Sequence, residues 1–125
     1  MPPLSPELIE FLQRVFDSVE SIEIAALLQR SATAYWTPQA VSQQLGIPVR
    51  VAESKMAALS QHLLVRGQQT LAYRYAPPSE ETDRLCTALL RVYSEQRPAI
   101  INAIYSNREK LRAFSNAFLL KKEEP

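Results

Sequence analysis

Apolar residues recur along this chain at helical spacing almost everywhere and alternate like a strand in one place. Leu8, Leu12 and Val15, with Ile9 and Phe16 beside them, form one apolar side behind Ser5-Pro6-Glu7, which supplies a cap, a first-turn proline and an acid at the positive end. This first helix should stop near Asp17. A second helix begins at Ser18 or Ser21 and carries Ile22, Ala25, Ala26 and then Leu28 or Gln29 toward Arg30. Thr37 and Pro38 have the form of an N-cap and first helical residue, and Gly46 stands where a helix ending at Leu45 takes a left-handed residue. Pro48 prevents continuation, and the next helix places Ala52, Met56, Leu59 and Leu63 on one face and Arg50, Ser54, Ala57 and Gln61 on another.

The alternating stretch follows. Leu64-Val65-Arg66, a break at Gly67-Gln68-Gln69, and Thr70 to Tyr75 read as a β-hairpin with a short connection. Tyr35-Trp36 can add a short third strand, with Trp36 read as packing. Ala76-Pro77-Pro78 ends the sheet, Ser79 caps a long helix, and Glu80, Glu81 and Asp83 fill its first turn. Leu85, Leu89 and Val92 lie on one stripe of that helix, and Cys86, Leu90 and Tyr93 lie on the neighbouring one. Pro98 must kink or restart it. Ile100, Ile101, Ile104 and Tyr105 continue the apolar side, and Ser106 to Glu109 has the form of a capping box. The last helix runs to about Leu120 with Leu111, Phe114 and Phe118 inward, while the final Glu123-Glu124-Pro125 should fray.

Two short helices around a tight turn with a hairpin attached define a winged helix-turn-helix. The expected fold is therefore mainly α: a winged unit at 18–76, with flanking helices at 1–17 and 79–120, all in one domain of 125 residues. Leu45-Gly46-Ile47-Pro48, Ala52, Met56, Leu59 and Leu64-Val65-Arg66 resemble bacterial winged-helix transcriptional regulators, and the segment from Leu111 to Lys122 is similar to the end of small bacterial winged-helix proteins without an assigned role. The resemblance implies a recognition helix at about 49–62 entering the major groove and a wing at about 64–75 along the DNA backbone. It makes Arg50 and Ser54 candidates for base edges, with Gln61 on the same stripe. Lys55, Arg66, Gln68, Gln69 and Arg74 become backbone-positioning residues. Two departures stand out. Leu63 occupies a position where these regulators usually carry a capping glycine, and Val49, Glu53 and Ala57 stand on the reading face.

Charge sharpens this picture slightly. The net charge of +1 hides a basic middle: 35–75 holds Arg50, Lys55, Arg66 and Arg74 against Glu53 alone, while 1–34 is acidic. The two glycines, Gly46 and Gly67, are far apart, so no glycine-rich phosphate loop is possible. One cysteine excludes an internal disulfide and a cysteine-based zinc cluster, and fits a reducing cytoplasm. Met1-Pro2-Pro3-Leu4 lacks the form of a targeting signal, and no uncharged interval is apolar enough to span a bilayer.

Materials for catalysis are sparse. His62 is the sole histidine and reads as a helix-end residue. Cys86 reads as a buried thiol, the acids at 80–83 as a helix start, and Tyr73-Arg74-Tyr75 either as a nucleic-acid surface or as a strand with one packed face. No enzyme activity, cofactor or metal is expected. Two functions remain: a cytoplasmic DNA-binding regulator on double-stranded DNA, or a winged-helix module that binds another protein. A homodimer is expected in the first case, with an interface drawn from Leu85, Leu89, Val92, Tyr93, Ile101, Ile104, Phe114 and Phe118.

Overall fold

A computed structural model describes residues 4–106. The chain is mainly helical, with a small antiparallel sheet. In order come α1 (Pro6–Val15), α2 (Val19–Arg30), α3 (Pro38–Leu45), α4 (Val49–Leu59), β1 (Leu64–Arg66), β2 (Tyr73–Tyr75) and α5 (Glu80–Glu95). A further helical stretch occupies 97–106. The expected last helix, its capping box beyond Ser106, and the inward Leu111, Phe114 and Phe118 lie outside the described residues.

Local chemistry sets most helix starts. The hydroxyls of Ser5, Thr37 and Ser79 each accept from the backbone N–H three residues on, at 3.1–3.2 Å. Ser18 and Ser21 cap reciprocally: each hydroxyl accepts from the other's N–H, at 3.2 and 3.3 Å, so α2 begins at Val19 directly after the turn that ends α1. α3 ends on Gly46 at φ 69°, in the left-handed region, and Pro48 begins α4 without a side-chain cap. α4 stops at Leu59, earlier than the sequence suggests. Ser60 remains right-handed, and 60–63 continue as turns with Leu63 N–H bonded to the Leu59 carbonyl at 2.8 Å. Leu63 therefore never enters the left-handed region that would cost it steric energy. It is fully buried instead.

The hairpin is shorter than its sequence suggests. β2 holds only Tyr73–Tyr75, and the connection runs over 67–72, closed by Gly67 N–H to the Ala72 carbonyl at 2.8 Å. Gly67 does not use left-handed freedom; among the described residues only Gly46 does. The register pairs Leu64 with Tyr75, Val65 with Arg74 and Arg66 with Tyr73. Trp36 adds a single antiparallel bridge on the other edge of β2, exchanging both backbone hydrogen bonds with Tyr73 at 2.7 and 2.9 Å.

One continuous hydrophobic cluster runs from Leu4 through α1, α2, α4 and the sheet to α5 and Ile104. Phe11, Leu12, Ile22, Ile24, Leu28, Met56, Leu59, Leu63, Leu89 and Ile100 are among its fully covered large side chains. α2 packs on α3, α4 and β2, and α1 packs on α5. Flanking helices thus share a core with the central unit rather than standing outside it. Pro98 restarts the helix, as its missing donor requires: α5 ends at Glu95 with Gln96 as its cap, and the next stretch begins at Arg97.

Candidate nucleic-acid interface

α4 divides cleanly into two faces. Ala52, Met56 and Leu59 are buried against the core, whereas Arg50, Glu53, Ser54, Ala57, Ala58 and Gln61 are exposed. The exposed set falls at i, i+3, i+4, i+7, i+8 and i+11, a single stripe along one side of the helix and the turn that follows. Among the described residues, no side chain of Arg50, Glu53, Ser54 or Gln61 is hydrogen-bonded to another group or ion-paired. Val49, at the first turn, is half-buried. The absence of a side-chain cap leaves the first-turn N–H groups of α4 open, so its positive dipole end and Arg50 occupy the same end of the stripe.

Lys55 does not belong to this stripe. It lies three residues after Ala52 and four before Leu59, both buried, and so sits on the flank of the helix that turns toward the α1–α2 junction. There its Nζ meets both carboxylate oxygens of Asp17, at 3.1 and 3.2 Å, and its side chain is 20% exposed. Burial raises the Asp17 pKa, but the hydrogen bond and charge of Lys55 outweigh it and hold the carboxyl below its ordinary value. The expected phosphate contact is in fact an internal ion pair.

The hairpin separates its two arginines. Leu64, Tyr73 and Tyr75 turn inward and are buried, so the aromatic–basic alternation at 73–75 is that of a strand with one packed face. Arg74 pairs with Val65 on the outer face, while Arg66, opposite Tyr73, belongs to the inner face and reaches solvent beyond the core. Arg74 is also held in place. Its Nε donates to the Tyr35 hydroxyl at 3.2 Å, and its guanidinium carbon lies 5.7 Å from the centre of the Tyr35 ring. Gln68 and Gln69 are exposed at the tip of the connection. Tyr35, Val65 and Leu71 surround this region with apolar surface, at 52, 42 and 43% exposure. Nothing in the sequence signals the Tyr35–Arg74 pair; the single bridge between Trp36 and Tyr73, in place of a third strand at 35–36, is what sets Tyr35 beside Arg74.

The remaining chemically notable residues are committed elsewhere. Cys86 is fully buried, and desolvation pushes its thiol up to about 11. Asp83 accepts from the Tyr75 hydroxyl, and Glu81 and Glu7 both pair with Arg84. Those contacts join the acidic start of α5 to β2 and α1. His62 is half-buried at the end of the turn after α4. The Trp36 ring packs against the core with its Nε1 buried and without a partner among the described residues.

Four members of the expected dimer contact are not available to a partner. Leu85, Leu89, Tyr93 and Ile104 are buried within the single chain, as members of its one hydrophobic cluster, and α1 packs on α5. Val92 and Ile101 keep partial exposure, and Phe114 and Phe118 lie outside the described residues.

No protein-family model, curated protein or solved structure matches this chain. Among the described residues, no helix is long and apolar enough to cross a membrane.

Proposed function

We propose that this protein is a cytoplasmic DNA-binding regulator of the winged helix-turn-helix type, with α3 and α4 as the helix pair and the hairpin as the wing. The observation that carries this reading is the uncommitted stripe on α4, which starts at an uncapped helix end and begins with Arg50. A helix presented this way suits the major groove, with Arg50 and Ser54 at base edges and Gln61 farther along. Arg66 and Arg74 would position the backbone, Arg74 from a side chain already held by Tyr35. Lys55 is removed from the set. The interface is lightly charged, so non-specific affinity should be weak and its salt slope shallow.

The test is binding to random duplex fragments across a salt series, followed by site selection. Arg50→Ala should lose roughly 1–3 kcal/mol on a selected site and much less on random duplex. Equal loss on both would make Arg50 a phosphate contact. No salt-dependent binding at all would sink the regulator.

A homodimer belongs to this proposal, since two recognition helices on a two-fold axis read half-sites about one turn apart. Val92 and Ile101 are the described members of its expected contact that retain surface. A sedimenting mass that stays at one chain at micromolar concentration would remove the palindromic site.

One observation favours a second reading, a winged-helix module that binds another protein. Tyr35, Val65 and Leu71 expose apolar surface around the hairpin, where a phosphate-tracking wing has little use for it. Duplex binding unchanged in Val65→Ser and Leu71→Ser would take this surface out of the DNA interface, and weakened duplex binding in them would count against the second reading.

A further inference from the structure

Between α2, the end of α3 and α5 lies a cavity of about 480 Å³, on the scale of small-molecule sites, which span roughly 300–1,000 Å³. Its composition is unusual for this chain. Arg30, Arg91 and Arg97 all line it, against Glu23 as the only carboxylate among the described residues. Among the described residues none of the three arginines has a carboxylate within ion-pair distance. Arg97 is instead laid over the Tyr93 ring, 4.7 Å from its centre. Ala26, Leu45 and Leu90 add an apolar wall.

One feature of the lining points to a ligand rather than a patch of solvated arginines. Tyr93 lines it, is 6% exposed, and its hydroxyl is buried without a hydrogen-bond partner among the described residues. Buried hydroxyls are normally satisfied, and one left open beside a cavity marks a place where something can bond. Desolvation, and then the neighbouring Glu23 carboxylate, raise the Tyr93 pKa, so this phenol keeps its proton, and Glu23 is the carboxylate of the lining near enough to compete with a ligand for it. Gln29 and Thr87, bonded to each other at 3.0 Å, supply further polar atoms on the wall.

We propose that this cavity binds a small organic anion with an apolar body, its carboxylate or phosphate head held by Arg30, Arg91 and Arg97 and its body lying along Leu45 and Leu90. Guanidinium forks recognise such heads through paired N–H···O bonds, and three of them around one carboxylate leave a net positive site. A purely inorganic anion would leave the apolar wall unused; a neutral apolar molecule would leave the arginines unpaired. The site does not depend on the DNA-binding reading. It does have a route to the hairpin, because the Gln29 amide that borders the cavity also donates to the Tyr75 hydroxyl of β2 at 3.3 Å.

Calorimetric titration of the full chain tests this with 2-naphthoate, 2-naphthyl phosphate and the neutral 2-naphthamide. Saturable binding of one anion per chain is expected, with naphthamide weaker by roughly tenfold or more. Arg91→Gln combined with Arg97→Gln should weaken the anion by at least about tenfold and leave the amide unchanged. Both side chains are exposed, and Arg30→Gln on α2 gives an independent variant if the pair perturbs folding. The proposal is overturned if neither anion saturates by about 10 mM, if naphthamide binds as well as the anions, or if affinity is indifferent to the folded arginine variants.

Discussion

The Tyr75 hydroxyl donates to the Asp83 carboxylate at 2.6 Å, and this one bond ties the second strand of the hairpin to the first turn of α5. Gln29 reaches the same hydroxyl from α2, so three elements meet on a single oxygen. Burial, and then Asp83, push the Tyr75 pKa far above the ordinary phenol range; the proton stays on tyrosine and the charge on aspartate. Tyr75→Phe keeps the packing and removes the donor. It should cost about 1–2 kcal/mol by chemical denaturation, the range for a hydrogen bond to a charged acceptor. A loss too small to measure would mean that Asp83, exposed on its outer side, is satisfied equally well by water.

The two glycines should respond oppositely to alanine. At Gly46 nothing lies within 4 Å of an added Cβ, so the only penalty is the left-handed backbone, and Gly46→Ala should lose about 1–2 kcal/mol. At Gly67 the backbone is not left-handed, and an added Cβ would touch the Tyr35 ring at 3.4 Å, an ordinary contact. Gly67→Ala should be neutral or stabilising by up to about 1 kcal/mol. Thermal melts of both variants check the contrast, and equal losses would overturn it.

Asp17 and Lys55 give a pH-dependent term. The folded carboxyl titrates below its ordinary value of 3.8, so the pair contributes fully above that value. The contribution fades as pH falls from there through the folded pKa. Because Asp17 is largely exposed, Lys55→Met should cost less than about 1 kcal/mol at neutral pH. The gap between wild type and variant should close on acidification below pH 4. A gap that widened in acid would reverse the sign assigned here.

Cys86 should resist thiol reagents in the folded chain. It is covered completely, and its thiol is pushed up to about 11, so little thiolate exists at neutral pH. Reaction with a chromogenic disulfide should be slower by roughly a hundredfold or more than after unfolding in denaturant. Fast labelling of the native protein would show that α5 opens readily from α2.

If the hairpin meets DNA, Arg74→Ala should flatten the dependence of log affinity on log salt by about one unit, without altering sequence preference. Tyr35→Phe removes the hydroxyl that holds Arg74 and should weaken binding while leaving the slope unchanged. An unchanged slope in Arg74→Ala would take the outer face of the hairpin out of the interface.

What the sequence made legible was local. Ser5, Thr37 and Ser79 announce helix starts within three residues of themselves, and Gly46 announces a stop through its own φ. Only the choice between Ser18 and Ser21 needed the structure, which uses both. The spacing of Ala52, Met56 and Leu59 separates the buried face of α4 from the open one. Partners distant in sequence were not legible. Lys55 looks like any basic helix residue until Asp17 is brought beside it, and Arg74 looks free until Trp36 bridges to Tyr73 and delivers Tyr35. Leu85, Leu89 and Tyr93 misled for a related reason: a wide apolar stripe has the same spacing whether another chain covers it or the chain's own α1 and α2 do. The cavity arginines, from α2, α5 and the stretch beyond it, were scattered charges in the sequence.

The bridge between Trp36 and Tyr73 makes the neck of a closed circuit. Chain enters α3 at that point, passes through α4 and out along the hairpin, and returns to the same place, fastened by two backbone hydrogen bonds. A strand break at the exposed tip near Gln68 and Gln69 would therefore leave two pieces still clasped at the neck and packed at α4. The same circuit makes that tip the natural point for inserting a reporter or for opening new termini.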